Sequence, residues 1–168
     1  TNNIHELDTV LDEILSTGQS TLKTDPKFHT EINYIGASRA HDTNAYVSII
    51  RGCDKYCTYC VVPYTRGPEV SRHPDEIVAE IRDLVQRGYR EITLLGQNVN
   101  SYGKDKPEWG CLFHDLLYRI DKIEGIGFVR FMTSHPIDIT QELMKAIRDL
   151  KSLCRFVHFP MQAGSSRI

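Results

Sequence analysis

From residue 45 onward the chain alternates between two apolar periods, and this alternation limits the fold more than any other feature. Runs at Tyr46–Ile50, Glu91–Leu95, Gly127–Met132 and Arg155–Phe159 predict four strands, the first of them a buried, β-branched one. Between them the apolar spacing becomes helical. Pro74-Asp75-Glu76 places a proline at a first helical position and acids in the first turn, Ile77, Ile81, Leu84 and Val85 form the stripe, and Gly88 stops it. Leu112, Phe113, Leu116, Leu117, Ile120 and Ile123 mark a second helix; Thr140 caps a third, lined by Leu143, Ile147 and Leu150. Strands alternating with helices predict βαβ crossovers and a parallel sheet. A doubly wound sheet and a barrel both satisfy the pattern. A complete barrel needs roughly 250 residues, so only part of one fits here.

Upstream the text is different. Ile4, Leu7, Leu11 and Ile14/Leu15 share one face and Gly18 suits a C-terminal cap, which predicts a short helix ending at residue 18. Residues 19–44 are polar, without a period, and read as a linker. Net charge is −2, from 20 basic and 22 acidic residues, which excludes a disordered acidic tail and a module held to nucleic acid by bulk electrostatics alone. No apolar run reaches the ~18 residues of a membrane span, and Thr1–Thr9 is no secretory signal. The chain does not begin with Met, so a piece of a longer protein is expected.

In parallel α/β folds ligands gather at the C-terminal ends of strands. The polar and thiol-bearing segments of this chain lie at those ends: Arg51–Cys60, Gly96–Asn100, Thr133–Pro136 and Pro160–Ser166. Cysteine is the sharpest signal. There are five, an odd number for a disulfide framework, and Cys53, Cys57 and Cys60 lie within eight residues. Without a secretory signal the compartment reads as reducing cytoplasm, so the cluster points to metal or redox chemistry. A zinc site needs a remote fourth ligand, for which His73, Cys111 and Cys154 are available. A 4Fe-4S cluster held by three cysteines keeps one iron open for a small molecule. Cys111 and Cys154 read as small core residues.

Cys53-x3-Cys57-x2-Cys60, with Tyr59 before the last cysteine, resembles the signature of radical S-adenosylmethionine (radical SAM) enzymes. Arg51-Gly52-Cys53, Cys60 through Gly67, Glu69-Val70-Ser71-Arg72, Leu95 through Asn100 and Thr133-Ser134-His135-Pro136 extend the resemblance to its methylthiotransferase branch, over about Ala45 to Ile168. Within that branch the tRNA-acting members are the most similar. The resemblance implies a partial (β/α) barrel, truncated here after about four strands. It implies that Cys53, Cys57 and Cys60 hold a 4Fe-4S cluster whose open iron takes the amino and carboxylate groups of S-adenosylmethionine. It further implies that one electron breaks the sulfonium bond, that the resulting 5′-deoxyadenosyl radical abstracts hydrogen, and that a methylthio group is installed at carbon 2 of an isopentenyl-adenosine beside the tRNA anticodon. Flavodoxin or ferredoxin is the type of electron donor implied, in the cytoplasm and without a membrane.

Residue roles follow by position. Tyr59, Gly96, Gln97, Asn98, Ser134 and Gln162 match cofactor-contacting positions, with His135 beside Ser134 at the same strand tip. Arg66 and Arg72 match the segment after the cluster loop and suit a cofactor carboxylate or an RNA phosphate. Asp54 and Lys55 read as solvated charges. Family members carry an N-terminal domain with three more cysteines for a second cluster, and none precede Cys53 here. Residues 1–18 are therefore expected to be the last helix of that domain, 19–44 a linker, and 45–168 the front part of the radical domain, incomplete for methylthiolation alone. Two other readings remain: the sister branch acting on a ribosomal-protein aspartate, and a zinc-stabilised, non-catalytic RNA-binding module.

Overall fold

The computed structural model describes residues 6–21, 43–161, 164, 165 and 167. Ile4, most of the expected linker and Gln162 lie outside the described residues. The first element is a helix, α1 (Leu7–Thr17), closed by Gly18 in the left-handed region at φ 68° with its N–H on the Ile14 carbonyl. Its apolar stripe is uncovered among the described residues, and Leu15 is 82% exposed.

The core begins at β1 (Asn44–Ser48), followed by the two-residue strand β2 (Ile50–Arg51), the short helix α2 (Val62–Arg66) and β3 (Val70–Ser71). Then come α3 (Pro74–Gln86), β4 (Glu91–Leu95), α4 (Phe113–Asp121), β5 (Phe128–Phe131) and α5 (Gln141–Asp149). The predicted helix signals act as read. Pro74 opens α3, and Thr140 caps α5 through its hydroxyl, which accepts from the Leu143 N–H at 3.1 Å.

β1, β4 and β5 form a parallel sheet in that order, with Val47 opposite Leu94 and Leu94 opposite Phe131. The order steps in one direction, without the reversal of a doubly wound sheet, and the sheet does not close. The fourth predicted strand is corrected. Residues 155–159 form no strand; among the described residues the segment after α5 joins β5 through a parallel bridge between Val129 and Leu153. The Cys154 N–H donates to the Val129 carbonyl, and the next bond forward is Ser134 N–H to His158 carbonyl at 3.3 Å. With nothing described on its far side, this segment has only half the ladder that a central strand enjoys.

The first predicted strand is corrected as well. It breaks at Ile49 into β1 and β2, and it alternates instead of being buried throughout: Ala45 and Val47 are buried, whereas Tyr46 is 54% exposed. The cause is that, among the described residues, the helices pack against one face of the sheet. On that face Val47, Ile92, Leu94, Val129 and Phe131 meet Ile77 and Ile81 of α3, Leu116 and Ile120 of α4, and Leu143 of α5. Phe113 and Phe131 pack edge to face at 5.2 Å. The other face carries Tyr46, Thr93 and Arg130 in one register row.

Burial sets the expected energetics. Leu94→Ala is expected to lower the unfolding free energy by ~3 kcal/mol, as a core truncation does. Leu15→Ala should change it by less than ~0.5 kcal/mol. Urea unfolding of the two variants checks this; equal losses would contradict the assignment of the core to the sheet's helical face.

Candidate functional site

β2 and β3 pair antiparallel, Ile50 with Ser71 and Arg51 with Val70, and so pinch the neck of the loop that carries the three cysteines. Gly52 is obligatory at that neck. Its φ is +77°, and a Cβ there would stand 1.9 Å from the Pro68 carbonyl oxygen. Across the neck the Cys53 N–H donates to the Gly67 carbonyl at 3.1 Å, and the Glu69 N–H donates to the Asp54 carboxylate at 3.2 Å. Inside the loop, Tyr56 takes φ 46° and the Cys60 N–H closes a turn onto the Cys57 carbonyl.

Cys53, Cys57 and Cys60 are all free thiols at half-buried positions of this loop. Burial pushes the Cys53 thiol above its ordinary value, with the nearby Glu69 carboxylate adding to the rise. Soft sulfur donors in this number suit an iron–sulfur centre or zinc. Among the described residues, however, no three Cys, His, Asp or Glu side chains converge closely enough to hold a metal ion. Tyr59 stands exposed at the loop's outer turn. Cys111 is buried in the core and Cys154 half-buried, as read from the sequence.

The tips of β4 and β5 meet this loop. Gly96 is required by close approach, since a Cβ would lie 2.4 Å from the Ile50 side chain and 2.9 Å from the Ile50 carbonyl oxygen. Gln97 accepts the Gly52 N–H on its side-chain oxygen at 2.6 Å and so ties the β4 tip to the cysteine neck. Between these tips, on the sheet face opposite the described helices, lies a cavity of about 390 Å³. Ser48, Arg51, Arg66, Gly96, Gln97 and Thr133 are among its walls. Thr133 holds φ 63°, a strained value for a β-branched residue at the mouth of a site. Ser134 next to it is buried, and its hydroxyl finds no hydrogen-bond partner among the described residues. An orphaned buried hydroxyl at this rim suits a polar ligand.

Other predicted residues are placed differently. Arg66 reaches the cavity wall. Arg72 is directed toward Glu80 and Glu76 of α3 instead. Asn98 is buried and fully engaged: its side-chain oxygen accepts the His135 N–H at 3.1 Å and its NH2 donates to Asp138 at 2.7 Å. Lys55 is not a solvated charge. Its ammonium lies 3.0 Å from Asp138, a carboxylate only 2% exposed. Lys104 donates to the same carboxylate. Burial alone would raise the Asp138 pKa, but the bonds from Lys104, Asn98 and Lys55 outweigh it and hold the carboxyl below the usual carboxylate range.

Asp138 was missed in the sequence. So was Asn100, whose amide grips His135 by both its N–H (2.9 Å) and its carbonyl (2.8 Å). The available signal was a lone acid between two isoleucines, Ile137-Asp138-Ile139, just past a strand tip.

Comparison with known proteins adds three findings. Residues 47–168 match the family described as the radical SAM superfamily. The whole chain is 68% identical to a tRNA-2-methylthio-N(6)-dimethylallyladenosine synthase of Protochlamydia amoebophila, covering 37% of that protein. It is 49% and 44% identical to proteins of the same name from Thermoanaerobacter pseudethanolicus and Caldicellulosiruptor saccharolyticus, covering 36% of each. The chain thus spans little more than a third of these relatives.

Asp138→Asn removes the charge that Lys55 and Lys104 share and is expected to cost about 2 kcal/mol at neutral pH. Because the folded carboxyl titrates below the unfolded one, the unfolded chain binds more protons between the two values. The stability Asp138 contributes is therefore full above about pH 4, near the unfolded carboxylate value, and is lost as pH falls through the lower folded value. Denaturation midpoints from pH 7 to 3 should show that component in the unmutated protein and not in the variant.

Proposed function

Since the chain belongs to the radical SAM superfamily, whose members work with a 4Fe-4S cluster and S-adenosylmethionine, we propose that it carries that chemistry for a methylthiotransferase acting on tRNA. One observation supports the reading above the others. Three free thiols share a loop that is cinched, through Gly52 and Gln97, to the mouth of a cavity at the C-terminal edge of a parallel sheet. The one-directional strand order fits part of a (β/α) barrel, with the sheet face opposite the described helices as its interior.

Cys53, Cys57 and Cys60 are the residues that hold the cluster. Bound there, the cluster and S-adenosylmethionine supply one-electron cleavage and hydrogen abstraction from an unreactive carbon. The remaining work belongs to the chain's own residues. Gly96 would let the cofactor approach the backbone, and Gln97, whose side-chain oxygen accepts the Gly52 N–H, would offer it the amide nitrogen. The Ser134 hydroxyl would supply a further polar contact, and Tyr59 would lie beside the cluster. Gln162, which lies outside the described residues, is assigned a cofactor contact on the family resemblance alone. Arg66 neutralises a carboxylate of the cofactor or a phosphate of the RNA. The substrate is an isopentenyl-type adenosine beside the anticodon, and the electron comes from a low-potential protein such as flavodoxin or ferredoxin, in the cytoplasm. No helix among the described residues is long and apolar enough to cross a membrane.

Anaerobic reconstitution with iron and sulfide tests the cofactor half of this reading. About four irons per chain and a reduced paramagnetic spectrum perturbed by S-adenosylmethionine are expected, with iron uptake abolished by Cys57→Ala. Stoichiometric zinc without iron would overturn it. Deleting the encoding gene tests the substrate half: 2-methylthio-adenosines should vanish from the tRNA, and unchanged levels would refute an RNA substrate.

A further inference from the structure

His135 is held more tightly than a turn residue needs. Its N–H donates to the side-chain oxygens of both Asn98 and Asn100, and its carbonyl accepts from Asn100. Its ring Nδ1 lies 3.2 Å from the Ile137 backbone N–H. A backbone N–H can only donate, so Nδ1 presents its lone pair and the neutral ring carries its proton on Nε2. That Nε2 lies 3.7 Å from the Cys57 sulfur.

We propose that His135 is a positioning residue for Cys57, donating an Nε2–H···S hydrogen bond that orients this sulfur and stabilises its negative charge. The inference rests on the cluster reading above. The placement is part of a closed circuit. Cys57 meets His135, His135 is gripped by Asn98, Asn98 binds Asp138, and Asp138 binds Lys55, two residues before Cys57. The strap thus holds the cysteine loop at two neighbouring points and fixes the distance between ring and sulfur. Hydrogen bonds to ligand sulfurs favour the electron-rich, reduced form of an iron–sulfur centre and raise its reduction potential.

Two measurements test this. In the unmutated, metal-free protein, nitrogen-15 shifts of the His135 ring should report the Nε2–H tautomer; the Nδ1–H tautomer would overturn the proposal without any variant. In the reconstituted protein, a redox titration followed by paramagnetic resonance should show the His135→Phe cluster harder to reduce. The expected change is about tenfold in the reduced-to-oxidised ratio, or ~59 mV for one electron. His135→Gln keeps an N–H at similar reach and should recover most of that shift, which a purely steric role would not predict. An unchanged potential in His135→Phe at full iron content sinks the inference and leaves the function standing. Failure of the unmutated protein to take up iron sinks the function, and this inference with it.

Discussion

The buried Asp138 carboxylate is the point on which the site's architecture depends. A charge so deeply buried is tolerable only if it is paired and hydrogen-bonded. Its partners come from different places: Lys55 from the cysteine loop, Asn98 from the β4 tip and Lys104 from the segment beyond it. Satisfying one carboxylate therefore fixes three backbone segments relative to one another. An apolar residue at position 138 would pack against its neighbours without dictating which lysine or amide lay opposite. The directional bonds of a carboxylate do dictate it, and they also place the Asn98 oxygen that receives His135.

The sheet divides its labour between faces. Val47, Leu94 and Phe131 meet in one register row and bury against α3, α4 and α5, which supplies the apolar stabilisation. The opposite face puts Tyr46, Thr93 and Arg130 in register and leaves room at its C-terminal edge for the cavity bounded by Gly96 and Gln97. Gly96 belongs to both tasks, since any side chain there would strike Ile50 and push the cysteine neck away from the β4 tip. A parallel strand order makes this economical, because every strand tip arrives at the same edge.

What was legible in the sequence was local. The stripes at Ile77, Ile81 and Leu84 and the cap at Thr140 each depend on a few neighbouring residues, and they fold as their spacing indicates. The cysteine spacing and the Gly96-Gln97-Asn98 segment were likewise visible as chemistry at strand ends. What was not legible was long-range. Lys55 looks like any surface lysine until a carboxylate distant in sequence is brought against it, and Asn98 looks like a ligand-facing amide until His135 and Asp138 engage it. The run at 155–159 has strand-like composition, but composition does not supply a neighbour on both sides, and among the described residues the bridge to β5 is at Leu153. Alternation in β1 was hidden for a related reason. Val47 and Tyr46 are both good strand residues, and only the helices' choice of face separates them.

The same contrast explains how the cysteine loop is built. Bringing three thiolates to one point is opposed by their mutual repulsion and by desolvation, which a bound cation offsets. The chain instead fixes what it can at ordinary cost. Gly52, Gly67 and Gln97 define the neck, while His135 and Lys55 hold the middle of the loop. These anchors restrict where the backbone of Cys53, Cys57 and Cys60 can lie, and His135 also meets the Cys57 sulfur. A loop anchored in this way has less chain entropy left to lose when a ligand orders it.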